Sequence, residues 1–291
     1  MKAVACQLPR AHGVPLSRFS RAELHRLVVE RGVTDASAAT IARWLSEDSL
    51  RPWQHRSWVF PTDPDFLAKA GPVLDLYQGR WQGRLLHPGD FVLCADEKPS
   101  IQARQRIHPT LAPSPGSRGL RVEHSYRRRG ALTYLAALDI GRRGGRRPRV
   151  CGRSEPRGGI ESFDRLVWQV MSKEPYASAR RVFWIVDNGS AHRGERSARR
   201  LEGRWPHLIL VHLPVHASWL NQAEIYFSIV QRKVLSPNDF ADLGVLARTL
   251  NEFERRWNEV AEPFDWNFTR DDLAALIERL SAREPQLHLA A

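Results

Sequence analysis

Two short stretches decide the reading: Phe91-Val-Leu-Cys-Ala-Asp96 and Val182-Phe-Trp-Ile-Val-Asp187. Each is an unbroken apolar run closed by an aspartate. Apolar runs of about 4–8 residues without alternation fit strands covered on both faces of a sheet. In open α/β sheets, ligands gather at the carboxyl ends of the strands. The two aspartates are therefore expected as a pair of carboxylates at the rim of a core.

Working outward, Ser100–Arg106 is expected as a partner strand, His108–Gly119 as a Pro- and Gly-rich loop, and Ala131–Ile140 as a further strand. Arg142–Arg149 reads as a basic turn. Gly159–Lys173 has Ile160, Phe163, Leu166, Val167 and Val170 at helical spacing. A helix over Glu195–Trp205, a strand over Leu208–Leu213, a helix over Ser218–Leu235 and two helices near Leu243–Val260 and Arg270–Ala282 complete the pattern. Strands followed by alternating helices and strands predict an α/β fold with a mixed sheet flanked by helices. Upstream, Ser20-Arg-Ala-Glu23 is a capping-box pattern opening a helix over Arg21–Arg31, closed by Gly32. Ser37–Glu47 carries Ile41, Trp44 and Leu45 on one face. Helix, short turn and helix predict a small all-α helix-turn-helix region, with Arg43 of the second helix facing the DNA major groove. The boundaries expected are 1–60 for this region, 61–89 for a helical linker whose helix runs over Asp65–Trp81, and 90–291 for the catalytic domain.

The composition agrees with a polyanionic partner. The 291 residues carry a formal charge of +12, almost all of it from arginine, and 42 % are hydrophobic, enough for a core. A GC-rich genome also produces such an arginine-rich chain. There is no apolar run long enough to span a membrane and no apolar signal core. Cys6, Cys94 and Cys151 match neither a zinc spacing nor a disulfide framework, which predicts a reduced, cytoplasmic setting. His207, His212 and His216 share no helix, so a zinc hydrolase is not expected. Gly141-Arg-Arg-Gly-Gly-Arg-Arg147 lacks the lysine and spacing of a phosphate loop, so no nucleotide cofactor is expected.

A third acid completes the set. On the helix expected over Ser218–Leu235, Leu220, Ala223, Phe227 and Val230 form an apolar stripe, and Glu224 lies within it. A carboxylate aimed at a core needs compensation. A salt bridge to an arginine or a helix-edge position would supply it, and so would a shared cation. Mg²⁺ or Mn²⁺ favours oxygen ligands and relieves repulsion among converging carboxylates. Two such ions activate water and stabilise the leaving oxygen in phosphodiester displacement.

Asp96-Glu-Lys, Asp187-Asn-Gly-Ser-Ala-His192 and Pro214-Val-His-Ala-Ser-Trp-Leu-Asn-Gln-Ala-Glu224 resemble the three acidic motifs of mariner-like DDE transposases, most nearly the bacterial insertion sequence 630 family. Asp187 and Glu224 stand 37 positions apart, close to the short spacing of that group. The resemblance runs over nearly the whole chain. It implies an RNase H-like catalytic domain, with Asp96 and Asp187 as metal ligands on neighbouring strands and Glu224 as the third on a helix. It also implies two Mg²⁺ or Mn²⁺ ions per active site, cleavage at the terminal inverted repeats of an element, and strand transfer into target DNA by a homodimer. The protein would be nucleoid-associated in a bacterium. Relatives of this kind usually carry two helix-turn-helix units; the chain has room for one, which implies a truncated start or a decayed copy. Two rival functions share these features: a metal-dependent nuclease without strand transfer, and a non-catalytic DNA-binding regulator derived from a transposase.

Around the acids, Glu97, Asn188 and His192 are candidates for supporting the metal site; an ion pair, an Asx turn and a helix cap are their structural alternatives. Arg127 and Arg128, with Arg129, and Arg142, Arg143, Arg146 and Arg147 are candidate DNA-backbone contacts, with solvated turns as the alternative.

Overall fold

The computed structural model describes residues 1–54, 63–116, 119–141, 145–189 and 194–283. The chain divides into two units, Met1–Val59 and Phe60–Ala291.

In the first unit, a short helix α1 (Lys2–Ala5) and a 3₁₀ turn at Pro9–His12 precede α2 (Arg21–Glu30) and α3 (Ala38–Glu47). Ser20 Oγ accepts from Glu23 N at 3.0 Å, and Ser37 Oγ accepts from Thr40 N at 3.3 Å, so each helix starts on a side-chain cap. Gly32 takes a left-handed φ of 63° after α2, and Val33 N returns to Val28 O at 2.9 Å. Phe19, Leu24, Val28, Ile41 and Leu45 are buried between the helices. Arg43 lies exposed on α3.

The second unit begins with α4 (Phe66–Tyr77), which ends four residues before Trp81 because the chain turns into a two-stranded ribbon, β1 (Arg80–Trp81) and β2 (Arg84–Leu85). The main sheet contains β3 (Asp90–Arg106), β4 (Tyr126–Asp139), β5 (Arg149–Glu155), β6 (Arg181–Val186) and β7 (Leu208–His212). Its order is β5-β4-β3-β6-β7; β3 is antiparallel to β4 and parallel to β6, and β7 extends the parallel half. Helices α5 (Ile160–Met171) and α6 (Gly194–Arg204) connect the strands on one side. After α6 come α7 (Ala223–Lys233), α8 (Leu243–Val260) and α9 (Arg270–Arg283). The strands alternate between two cores. Val92, Cys94, Phe183 and Ile185 face the layer holding α4, α7, α8 and α9. Leu93, Ala95, Trp184 and Val186 face the layer holding α5 and α6.

Three expectations are corrected by pairing. Ser100–Arg106 is no separate partner strand but the continuation of β3, with register irregularities between Lys98 and Ile101 and between Gln102 and Arg104. β6 ends at Val186, so beyond Asp96 one edge of β3 is unpaired, and Pro99 costs no ladder bond there. The segment around Arg149 is not simply a turn: Arg149–Glu155 forms edge strand β5, whose charged residues hide its character in sequence. Finally, Ser218–Leu235 is not one helix. Ser218–Leu220 is a 3₁₀ turn, Asn221 is extended, and α7 starts at Ala223.

Candidate active site

Asp96 and Asp187 are brought together by register. β3 and β6 pair in parallel as Phe91 with Val182, Val92 with Phe183, Leu93 with Trp184 and Cys94 with Ile185. Carried two residues further, this register sets Asp96 opposite Asp187, on strands about 4.8 Å apart. The pleat puts both on the face of Cys94 and Ile185, the face that α7 covers through Ala223, Tyr226, Phe227 and Val230. Asp96 differs from its sequence expectation in one respect. It is not at the end of its strand; it pairs with Ala136 of β4 while β3 continues. It marks the end of the parallel half only.

Both carboxylates are oriented by main-chain amides. Asp96 Oδ1 accepts from Glu97 N at 2.8 Å, and Asp187 Oδ1 accepts from Gly189 N at 2.8 Å. Asp187 thus forms the Asx turn foreseen for Asn188. Asn188 instead donates Nδ2 to Leu213 O at 2.6 Å, tying the end of β6 to the end of β7.

Glu224 occupies the first turn of α7 and is exposed. This overturns the burial argument made for it: the break at Asn221 removes Leu220 from the helix, and the buried face is Ala223, Tyr226, Phe227 and Val230. Glu224 lies beside that face, on a helix whose start is bonded to the strand of Asp96. What places it there is Asn221, a residue fully buried in the core. Its Nδ2 donates to Ala95 O at 3.0 Å, the carbonyl just before Asp96, and its Oδ1 accepts from Ala223 N at 3.1 Å. Glu224 N closes on Asn221 O at 3.1 Å. One side chain therefore joins the strand of the first acid to the helix of the third. Tyr77 supports the same loop by donating Oη to Leu220 O at 2.6 Å, and Asp63 accepts from Val215 N at 2.9 Å. Sequence reasoning passed over these three; the run Leu220-Asn-Gln-Ala-Glu224 was the available signal for Asn221. Asn221→Ala strands both the Ala95 carbonyl and the Ala223 amide, and we expect a loss of about 2–4 kcal/mol in urea unfolding. An unchanged midpoint would show that water replaces the side chain.

The donor set suits a hard cation. The candidates are oxygen ligands only, as Mg²⁺ and Mn²⁺ prefer. Cys94 shares the face, but burial pushes its thiol up to about 12, which keeps it protonated. It sits 3.3 Å from Tyr77 Oη. Among the described residues, no three His, Cys, Asp or Glu side chains close to metal-ligating distance.

The remaining candidates fall on different surfaces. Glu97 is next to Asp96, so the pleat turns it to the opposite face, where its carboxylate lies against Gly158 at the start of α5. His192, Arg142 and Arg143 lie outside the described residues. Arg146 is half-buried: its guanidinium stacks 3.7 Å from the Phe91 ring centroid, and its Nε lies 3.4 Å from buried Asp139. Arg147 is exposed and donates to Glu259 O at 3.1 Å, at the end of α8. Arg127, Arg128 and Arg129 are exposed on the β3–β4 ribbon, with Arg127 opposite Gln105 and Arg128 opposite Arg104. We expect replacement of these three by Ala to flatten the log–log salt dependence of duplex binding by about 0.9 for each phosphate no longer neutralised. A slope unchanged in a salt titration would leave the ribbon a solvated surface.

The sequence model of the DDE superfamily endonucleases matches residues 91–247, more than half of the chain. The chain belongs to the DDE endonuclease superfamily. The match spans β3 to the start of α8 and so contains all three acids. The mixed five-stranded sheet, in the order β5-β4-β3-β6-β7 with helices on both faces, is the RNase H-like fold expected of this DDE domain. No curated protein sequence matches the chain. Solved structures similar to it include the Mos1 mariner paired-end complex with Mn, at 15% identity and TM-score 0.49 over 92% of this chain and 78% of that one. The Mos1 paired-end complex with Mg has 15% identity and TM-score 0.48, over 94% and 80%. The Mos1 strand transfer complex has 13% identity and TM-score 0.48, over 92% and 78%. Among the described residues, no helix is long and apolar enough to cross a membrane.

Proposed function

We propose that this DDE endonuclease is a mariner-like transposase that cuts DNA at the ends of an insertion sequence and joins the freed ends to target DNA. The observation that carries the reading is the placement of three acids. Asp96 lies on β3 two residues past its last pair with β6, Asp187 directly follows β6, and Asn221 ties the helix bearing Glu224 to the carbonyl beside Asp96. Asp96, Asp187 and Glu224 would hold divalent ions, Mg²⁺ or Mn²⁺, two per site. When bound, such ions activate a nucleophilic oxygen and stabilise the leaving oxygen.

The chain's own residues supply position. The Glu97 and Gly189 amides fix the rotamers of the two aspartates, and the rigid loop before α7 fixes Glu224. Water attacks an end phosphodiester and releases a 3′-hydroxyl. That hydroxyl then attacks a target phosphodiester, forming one P–O bond for each one broken, so no nucleotide cofactor is required. The net charge of +12 and the exposed arginines of the β3–β4 ribbon favour phosphate backbones. The Met1–Val59 unit, with Arg43 on α3, is assigned to end recognition, and two protomers would hold the two ends.

The test is an oligonucleotide assay in Mg²⁺ with duplexes carrying the repeats that flank the gene. Both cut strands and joined products are expected. Cut strands without joined products would make the protein a nuclease. Binding with neither product would make it a regulator.

A further inference from the structure

Beside the acids stands an aromatic side chain that the chemistry above does not use. The loop 214–222 between β7 and α7 is tethered along its length. Val215 N donates to Asp63, the Leu220 carbonyl accepts from Tyr77, and Asn221 donates to Ala95 O. Pro214, Ala217 and Leu220 are buried. Yet Val215 and Trp219 keep 41% and 39% of their surface exposed, and His216 between them has a left-handed φ of 60°. A mobile loop could present a tryptophan to solvent by chance. A loop hydrogen-bonded near both ends and buried at Ala217 presents it in a defined position. Trp219 also meets Phe268 edge-to-face, with centroids 5.8 Å apart and planes at 72°, which fixes the orientation of the indole without covering it.

We propose that Trp219 is a stacking platform for an unpaired nucleobase next to the scissile phosphate. The inference rests on the assignment of Asp96, Asp187 and Glu224 given above. Trp219 lies two residues before Asn221, which bonds the carbonyl next to Asp96, and five before Glu224, on the loop that leads into α7. A strand whose phosphate is held at the acids must place its neighbouring bases against this loop. An uncharged indole offers nothing to a phosphate, whereas every base has a π-face that stacks on an aromatic ring. Enzymes that process a strand end gain access by taking bases out of the stack, and a fixed aromatic face offsets part of the unstacking cost.

The experiment uses the full chain in Ca²⁺ with three duplexes: one blunt, one with a short single-stranded tail carrying 2-aminopurine, and one with the same tail made abasic. Wild type is expected to bind the base-bearing tail roughly 5- to 150-fold more tightly than the abasic tail and to quench the 2-aminopurine. Trp219→Phe keeps both properties. Trp219→Leu, which keeps apolar contact with Phe268 and so controls for folding, loses both, as does Trp219→Ala. Leu performing as well as Phe would overturn the proposal, because packing alone would then suffice. A change in sedimentation of the DNA-free Trp219→Ala protein would also overturn it, assigning the indole to contact with a second copy of the chain. Plasmid nicking in Mg²⁺ by wild type, absent in Asp96→Asn, separates the two levels. No nicking by wild type sinks the site assignment and the platform together. Nicking with equal binding of base-bearing and abasic tails sinks the platform alone.

Discussion

Asp96→Asn and Asp187→Asn each lower metal-dependent DNA cleavage by at least about 10³-fold, some 4 kcal/mol in the barrier, while the protein stays folded. The fold should survive because asparagine keeps the Oδ1 that accepts from Glu97 N or Gly189 N, and neither aspartate is fully buried. What disappears is a negative charge on the shared face. Two carboxylates on adjacent strands repel each other without a cation, so the same substitutions should raise or preserve metal-free stability. They should also remove most of the thermal shift given by Mn²⁺, since a ligand stabilises only by binding the native state. Glu97→Gln is the companion control. Its side chain faces the other side of the sheet, so cleavage near the wild-type rate is expected. Near-normal cleavage by either aspartate variant would remove that residue from the site. A thousandfold loss in Glu97→Gln would show that the alternation argument fails at this position.

Glu254→Gln should change the pH dependence of stability between pH 5 and pH 8. Glu254 of α8 is half-buried against the sheet, accepting from Gly152 N at 2.9 Å and from Tyr134 Oη at 3.3 Å, with Tyr226 Oη 3.2 Å further along. Burial pushes its carboxyl up to about 7, against the opposing pull of the Gly152 amide, Tyr134, Lys173 and Arg149. The folded state therefore holds this proton more tightly than the unfolded state does. Stability is highest below the ordinary carboxyl range, falls as pH rises toward 7, and levels off above it. Across that window the ionised group costs on the order of 3 kcal/mol. Glutamine keeps the acceptor toward Gly152 and Tyr134 and cannot ionise. The difference in stability between variant and wild type should thus shift in favour of the variant by about 3 kcal/mol between pH 5 and pH 8. Using a difference between two pH values cancels any fixed packing cost of the amide. Parallel stability–pH curves in urea titrations would mean that water reaches the carboxylate.

Much of the secondary structure was legible locally. Phe91–Ala95 and Val182–Val186 are apolar without interruption because both faces of their strands are covered, and each is followed by an acid. The period of Phe163, Leu166, Val167 and Val170 marks α5, and Ser20 and Ser37 mark the starts of α2 and α3. These signals depend on residues within a turn or two of one another, so the chain itself carries them.

Tertiary pairing decided the rest. That the strand carrying Asp96 lies beside the strand leading to Asp187 follows from the pairing of β3 with β6, set by contacts between residues far apart in sequence. The extension of β3 past Asp96 depends on β4 continuing as its partner where β6 stops. Arg146 looked like a surface charge until the fold brought Phe91 and buried Asp139 beneath it. Glu224 looked like a core residue because a helical stripe was drawn through Leu220. The fully buried Asn221 interrupts that helix to bond Ala95 O, and Glu224 is turned outward. Local sequence carries propensity and period; only the folded chain sets which strand lies beside which, and with that, which charges meet.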